Sequence, residues 1–298
     1  MKEKQNIKQE KKDYYSRIQS LNKKNISKDF FSMKHSVNSS EFDLFSSGKF
    51  YEIAQSKISF VDIVQDKELK EKINDIIDEY RFQKKIKSFG LKCDNKIIFY
   101  GPSGCGKTLT ALALANVLKK KIYVVNLATI VSSSLGKTSS NIFDIVEDAK
   151  LNDAIIFFDE FDALSKMRKD DNDHGEMKRI TSSLLQIMDF LDDEIIFIAA
   201  TNYIDLIDTA ILRRFSKRVN FTLPDDRYLK MYVYKLLKAT DFSADKDTVT
   251  LIANELQGLS YAEARDKFYY MLKKYIVKNL KQGKDTVNKI NKDFIRIK

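Results

Sequence analysis

The sequence is poor in the residues that build turns, crosslinks and rigid loops. Its 298 residues include 2 prolines, 9 glycines, 2 cysteines and no tryptophan. Scarce proline and glycine favour long helices over a fold made mainly of strands. Two cysteines, Cys93 and Cys105, are too few for a disulfide framework, which is typical of the reducing cytosol. We therefore expect a cytoplasmic protein.

Segments that would direct the chain to a membrane are missing as well. No run of eighteen apolar residues occurs, so the sequence predicts no transmembrane helix. The first residues, Met-Lys-Glu-Lys-Gln-Asn, lack the apolar stretch of a signal peptide. We expect no membrane partner.

Charge, in contrast, is plentiful and unbalanced. Charged residues make up 32% of the chain and give a net charge of +10, while 43% hydrophobic residues support a substantial core. A positive excess suits a nucleic-acid partner. Because the excess is mostly lysine and is scattered along the chain, an ordinary solvated surface is the favoured interpretation. Nucleic acid stays as the alternative partner.

The most informative stretch is 101–108, Gly-Pro-Ser-Gly-Cys-Gly-Lys-Thr, which fits the P-loop (Walker A) pattern. The apolar run before it, 96–100, predicts a buried strand, and the run after it, 109–118, is rich in strong helix formers. A strand, a glycine loop and a helix in this order bind the phosphates of a nucleotide. We expect ATP or ADP with Mg²⁺.

Each residue type in this loop has a chemical reason. Glycines let the backbone turn tightly and approach the phosphates. Lys107 places a positive charge on the β- and γ-phosphates, and the Thr108 hydroxyl can bind Mg²⁺. The loop residues predicted to contact the nucleotide are Pro102, Ser103, Gly104, Cys105, Gly106, Lys107, Thr108 and Leu109.

A second motif is an apolar strand, 154–158, that ends in two acids, Asp159 and Glu160. Asp159 is predicted to hold Mg²⁺ together with Thr108, as in the Walker B motif. Glu160 is predicted to polarise the attacking water as a general base. An apolar run before two acids is common by itself, but about fifty residues after a P-loop it is specific.

Two later sites leave alternatives open. Asn202 follows the predicted strand 194–200 and orients the same water, contacts the γ-phosphate or caps a turn. Arg213 and Arg214 precede the predicted strand 218–222. They either form surface ion pairs of little energy or act as arginine fingers on a neighbour's nucleotide.

Strands alternate with helices up to Pro224, which predicts an α/β fold with a parallel five-stranded sheet covered on both faces. Beyond Pro224 the pattern is only helical. We predict an α/β nucleotide-binding domain at 58–223 and a small all-helical domain at 224–298. Residues 1–57 are predicted to be an extension, partly helical or disordered, that can dock a partner.

Four motifs in this order resemble the AAA clade of AAA+ ATPases. They are GPSGCGKT, IIFFDEFDAL at 155–164, IAATN at 198–202 and DTAILRRF at 208–215. The last two are similar to the second region of homology that separates AAA proteins from other P-loop NTPases. The resemblance covers roughly 58–280, nearly the whole chain outside the extension.

The resemblance implies a five-stranded αβα domain with a helical lid, assembled as a hexameric ring with ATP between subunits. By position it implies a sensor-1 role for Asn202 and makes Arg213 and Arg214 fingers that reach the adjacent subunit. The residues that correspond to the adenine-binding backbone are Asp62, Ile63 and Val64.

The chain departs from the family at the pore loop. The family places an aromatic residue, an apolar residue and glycine there, and this chain has Ser134-Leu135-Gly136. Leu135 and Gly136 fit, but the aromatic residue that gives such a loop its grip is missing. Threading of a polypeptide is therefore less strongly indicated than in other members.

The resemblance is to small stand-alone bacterial or phage AAA ATPases. It implies Mg²⁺-dependent ATP hydrolysis by an oligomer that remodels a protein partner, in some members with a separate protease. The chain has no His-Glu-x-x-His and no Gly-x-Ser-x-Gly motif, so we expect any proteolysis to come from another chain. The alternative is a nucleic-acid-associated AAA+ motor or loader.

Overall fold

A seven-stranded sheet lies at the centre of the computed structural model, which describes residues 42–47, 51–127, 138–166, 174–282 and 289–295. The strands run in the order β1-β2-β4-β5-β6-β3-β7, and the last five of these are parallel. Their bounds are β1 Phe42–Ser47, β2 Tyr51–Ser56, β3 Lys96–Tyr100, β4 Ile122–Asn126, β5 Ile155–Asp159, β6 Phe197–Thr201 and β7 Lys217–Asn220. The predicted α/β fold with five parallel strands is confirmed.

The first two strands form an antiparallel hairpin that extends the parallel sheet. β2 pairs antiparallel with β4, and the ring of Tyr51 stacks on that of Tyr123 at 5.5 Å between centroids. The sequence predicts that residues 1–57 form an extension that is partly helical or disordered, whereas residues 42–47 and 51–56 are strands. Residues 1–41 and 48–50 of the predicted extension lie outside the described residues.

Helices cover both faces of the sheet, and four of the long ones begin at a side-chain cap. Asp66, Asp225, Asp245 and Ser260 each accept a backbone N–H from the first turn of the helix that follows. The helices are α1 Lys67–Arg81, α2 Gln83–Ser88, α3 Lys107–Val117, α4 Thr138–Leu151, α5 Ala163–Lys166, α6 His174–Phe190, α7 Thr209–Leu212, α8 Asp226–Ala239, α9 Lys246–Glu255 and α10 Tyr261–Lys281. None of the described helices is long and apolar enough to cross a membrane.

Two apolar clusters pack on opposite faces of the sheet because side chains alternate along each strand. In β5, Ile156 and Phe158 face the cluster that includes α4 and α6, while Ile155 and Phe157 face the cluster that includes α1 and α3. The middle of α3 is buried at every position from 110 to 115. The helix that follows the glycine loop is thus fixed by packing.

The C-terminal region forms a third cluster around α8, α9 and α10. Phe268 and Phe294 are fully buried in it, with ring centroids 5.8 Å apart. Two short parallel strands, β8 Ser243–Ala244 and β9 Lys289–Ile290, close this region. The helical periodicity did not indicate these strands, because a two-residue strand carries no periodic pattern.

Asn95 lies just before β3, at the end of the strand opposite the glycine loop, and binds the segment that leads into β6. Its amide donates hydrogen bonds to the carbonyls of Asp192 (2.8 Å) and Ile195 (2.7 Å), and its side chain is buried. We expect Asn95→Ala to lower the free energy of unfolding by about 1–3 kcal/mol, because the Ile195 carbonyl loses the Asn95 donor and the Asp192 carbonyl is left with the Ile195 N–H, at 3.1 Å. Urea denaturation followed by circular dichroism measures this change.

The matched control is Asn254→Ala, at an exposed position in α9. This change should stay within about 0.5 kcal/mol of the wild type. Equal unfolding midpoints for Asn95→Ala and the wild type would contradict a structural role for Asn95.

Candidate nucleotide-binding site

The glycine loop between β3 and α3 needs its glycines for two reasons, backbone angle and space. Gly101, Gly104 and Gly106 have φ angles of 132°, 75° and 97°, which side chains other than glycine rarely adopt. A Cβ at Gly101 would lie 1.9 Å from the carbonyl oxygen of Phe221. The loop therefore packs directly on the chain that leaves β7.

The same loop contacts the C-terminal helical region. The Ala262 N–H at the start of α10 donates to the Gly104 carbonyl at 3.2 Å. A Cβ at Gly104 would lie 2.5 Å from the Ser260 Oγ and 2.9 Å from the Ala262 Cβ. Gly104 thus allows the helical region to sit against the loop.

Lys107 is turned inward and ties the loop to the end of β6. Its ammonium donates to the carbonyls of Gly101 (2.7 Å) and Pro102 (2.9 Å) and to the Asn202 Oδ1 (2.8 Å). Burial lowers the pKa of Lys107, and nearby groups, including the Asp159 carboxylate, oppose this shift. The positive charge therefore lies where the loop backbone and β6 meet.

Thr108 and Asp159 present adjoining oxygen atoms. The Thr108 Oγ1 donates to the Asp159 Oδ2 at 3.2 Å. A hydroxyl and a carboxylate are ligands that Mg²⁺ accepts, and Mg²⁺ usually combines one or two such protein ligands with waters and phosphates. Within the described ranges no group of three or more His, Cys, Asp or Glu could form a metal site from side chains alone. This sparse oxygen pair fits Mg²⁺ shared with a nucleotide.

Glu160 has an unusual backbone conformation at the end of β5. Its φ angle is 53°, in the left-handed region, and its N–H donates to the Asp159 Oδ1 at 2.8 Å. The next residue, Phe161, donates its N–H to the Ala200 carbonyl at 2.8 Å, so the chain is fixed on both sides of Glu160. Strained backbone held by its surroundings is common at catalytic residues.

Asn202 is held by its neighbours. The Thr201 hydroxyl donates to the Asp162 carboxylate at 3.1 Å and accepts the Tyr203 N–H at 3.0 Å. Asp162 is buried. Its hydrogen bond with Thr201 was not predicted, although Asp162 lies inside the IIFFDEFDAL motif. These bonds fix the backbone on both sides of Asn202.

The two candidate arginines differ in their surroundings. Arg213 is exposed, and its side chain makes no ion pair with any residue in the described part of the chain. Arg214 donates from Nε and Nη2 to the two Asp189 carboxylate oxygens at 3.1 and 3.2 Å. Its Nη1 also donates to the Ala210 carbonyl at 3.1 Å.

Comparison with known proteins agrees with this geometry. The pattern of the "ATPase family associated with various cellular activities (AAA)" matches residues 97–223. The chain carries an AAA ATPase domain. That match includes the glycine loop, Asp159, Glu160 and Asn202 together with both arginines.

Named relatives support the same assignment. The chain is similar to an uncharacterized AAA family ATPase of Sinorhizobium fredii, with 35% identity over 211 residues, 70% of this chain and 62% of that protein. It is also similar to the ATP-dependent zinc metalloprotease FtsH of Haemophilus influenzae, with 34% identity over 201 residues, 64% of this chain and 32% of that protein. A putative 26S proteasome regulatory subunit homolog of Methanothermobacter thermautotrophicus shows 31% identity over 169 residues, 54% of this chain and 45% of that protein. The chain thus spans less than two thirds of the length of each of these relatives.

Of the three residues that the AAA resemblance placed at adenine, one lines a cavity beside the loop. Val64 contributes to a cavity of about 80 Å³ together with Cys105 and Phe221. Asp62 instead accepts the Ser59 N–H at 3.0 Å in a capping box, and Ile63 packs against the apolar core. Cavity-lining residues that the sequence analysis did not identify include Gln65, Asp66, Tyr228 and Tyr261.

The remaining predicted residues of the AAA domain have these positions. Cys105 is buried, and burial raises the pKa of its thiol, so the loop does not activate it as a helix N-terminus can. Leu109 is half-buried on α3 against the core. Pro102 and Ser103 form the exposed crest of the loop. Leu135 and Gly136, the predicted pore loop, lie outside the described residues.

Two glycines of the loop offer a matched test of the contact between the AAA domain and the helical region. Both have left-handed backbone, but a Cβ at Gly106 would meet no atom within 4 Å. Without nucleotide, we expect Gly106→Ala to cost about 1–2 kcal/mol of stability from backbone strain. Gly104→Ala should cost more, because Ser260 and Ala262 must also move. Thermal unfolding of the two variants measures the difference, and equal losses would rule out the predicted contact.

Proposed function

We propose that the AAA domain hydrolyses ATP at the carboxyl ends of β3, β5 and β6. The observation that carries this proposal is that the start of α3 bonds to the ends of two other strands. Lys107 donates to Asn202 at 2.8 Å, and Thr108 donates to Asp159 at 3.2 Å. The family match and the names of the relatives support ATP hydrolysis as the reaction. Phosphoryl transfer requires mainly positioning and charge neutralisation, which these groups supply.

Each side chain has a distinct task in this proposal. Backbone N–H groups of the glycine loop and the Lys107 ammonium bind the phosphates. Thr108 and Asp159 would hold Mg²⁺, which supplies neutralisation of the phosphate charge. Glu160 accepts the proton of the attacking water, and Asn202 orients that water or the γ-phosphate. The fixed backbone around Glu160 and Asn202 supports these roles.

We propose that the site is completed by an adjacent subunit in a ring, which for this family would be a hexamer. The support is the exposure of Arg213 just beyond α7, where it is free to reach a neighbouring molecule. An arginine finger can raise the rate of phosphoryl transfer by orders of magnitude. In this proposal the neighbouring subunit supplies the arginine finger to the nucleotide site.

The proposed substrate of the ring is a protein partner. Two of the named relatives, an ATP-dependent metalloprotease and a proteasome regulatory subunit homolog, have names from proteolysis. Because this chain has no His-Glu-x-x-His motif, we propose remodelling of a protein, with any cleavage done by a separate protease. The two free cysteines, both buried, suit the proposed cytoplasmic location.

One observation favours the alternative, a nucleic-acid motor. Four lysines of α10 make no ion pair with any described residue; three are exposed, and Lys274 is half-buried with its ammonium 4.7 Å from the centre of the Tyr270 ring. The four lysines are Lys273, Lys274, Lys278 and Lys281. ATPase stimulation by single-stranded DNA or RNA, lost steeply with added salt, would favour this alternative over a protein substrate.

The direct test of the proposed chemistry is Glu160→Gln. The change removes the base but keeps the size of the side chain and the charge of Asp159. We expect the rate of phosphate release to fall about 10²–10⁴-fold, with ATP still bound. Phosphate release and calorimetric ATP binding measure the two quantities. Turnover at the wild-type level would show that Glu160 is not the base.

The matched control is Glu194→Gln, at an exposed glutamate that pairs only with Lys87, at 3.4 Å. It should leave both turnover and ATP binding unchanged. If both variants lost turnover equally, the loss would come from the general electrostatics of the chain.

A further inference from the structure

Three arginines lie in the short stretch from the end of α7 into β7, and two of them form hydrogen bonds within their own subunit. Arg214 makes three hydrogen bonds, two to Asp189 at the end of α6 and one to Ala210. Arg218 donates from Nη2 to the Leu212 carbonyl at 2.9 Å. Arg213, which precedes both in the sequence, is exposed, with no hydrogen bond from its guanidinium to the described residues.

The Arg214–Asp189 contact has the geometry of a specific pair. Both carboxylate oxygens accept from one guanidinium, which fixes the plane of the arginine as well as its position. The hydrogen bond from Arg214 lowers the pKa of Asp189, which keeps the carboxylate charged. Because the pair is half exposed it adds little stability, so its main effect is on orientation.

The segment that carries Arg213 is fixed at both ends. On one side, Ile211 is buried in the core. On the other side, Phe215 is buried and its ring lies 5.9 Å from that of Phe161 and 6.1 Å from that of Phe197. Between these anchors, Arg214 is tied to α6 and only Arg213 points into solvent without a partner.

We infer that the two adjacent arginines have different roles in ATP hydrolysis. Arg213 is the catalytic arginine that reaches the nucleotide of the next subunit. Arg214 and Asp189 are a positioning pair that fixes the direction of the Arg213 segment. If Arg214 also reached across, it would have to break three hydrogen bonds in its own subunit. This inference rests on the proposed shared site.

The first experiment compares single variants in steady-state ATP hydrolysis. We expect Arg213→Ala to lower kcat about 10³-fold with little change in KM for ATP. Arg214→Ala and Asp189→Asn should each lower kcat by about 10-fold, since a small misplacement costs less than loss of the group. Arg214→Lys should recover part of the loss. The variant that combines Arg214→Ala with Asp189→Asn should have the same kcat as Arg214→Ala alone, because both changes remove the same interaction.

The control for Asp189→Asn is Asp192→Asn, at an exposed acid nearby on the chain that pairs with Lys150 at 2.6 Å. It should leave kcat unchanged. Equal losses for Arg213→Ala and Arg214→Ala, or an unaffected Asp189→Asn, would overturn the division of roles.

A mixing experiment separates the finger from the rest of the site. Lys107→Ala subunits cannot turn over ATP, but they can present a finger to Arg213→Ala subunits, so the mixture should regain activity. Adding Arg214→Ala to the Lys107→Ala donor should lower this rescue by about 10-fold, because the donor's Arg213 is misplaced but present, and adding Arg213→Ala should abolish it. Rescue lost equally with either change would make both arginines fingers. If the Lys107→Ala donor itself gave no rescue at any ratio, the shared site and the inference would both fall.

Discussion

The three hydrogen bonds of the Lys107 ammonium are the interaction on which the site depends. They join the glycine loop after β3 to Asn202 at the end of β6. β3 lies between β6 and β7 in the sheet, so a loop fixed here is in reach of the ends of all three strands. Parallel strands end at one edge of the sheet, and ligands of open α/β sheets bind at that edge. The topology of the sheet thus brings the proposed catalytic groups together.

Close backbone packing then connects the site to the rest of the molecule. Gly101 lies against Phe221, and Gly104 lies against Ser260 and Ala262 at the start of α10. If the glycine loop shifted on binding phosphate, both the chain that leaves β7 and the helical region would therefore have to move with it. Phe161 adds a second connection, because it follows Glu160 and its ring contacts Phe215 beside the arginines. In the proposed ring, a packed aromatic pair thus links the proposed base of one subunit to the arginine that this subunit would offer to the next.

The parts of this structure that could be predicted are those encoded over short distances. β3 lies where the sequence predicted it, because a short β-branched and aromatic run is a strong strand signal. The Ser59–Asp62 capping box was not predicted, although its Ser-x-x-Asp spacing is equally local; it explains why the Asp62 side chain accepts a hydrogen bond from its own helical turn. The glycine loop and the two acids at the end of β5 were also predicted, because binding a nucleotide and Mg²⁺ requires these residue types close together in short motifs.

The parts that could not be predicted depend on contacts between distant segments. β2 pairs with β4 about seventy residues later, and its residues, Tyr-Glu-Ile-Ala-Gln-Ser, give only a weak alternating pattern. Asp189 and Arg214 are 25 residues apart, and no spacing rule joins the end of one helix to a loop beyond the next strand. Tyr261 reaches the cavity near Val64 only through the packing of the helical region on the loop. Such contacts follow from the tertiary fold alone.

The central claim is that one active site is made by two subunits. The most direct measurement is the specific ATPase rate against protein concentration, with ATP and Mg²⁺ saturating, paired with molar mass by light scattering. The account predicts a rate per chain that rises with concentration as a large assembly appears. A rate that stays constant while the protein remains a monomer would contradict the shared site and remove the role given to Arg213.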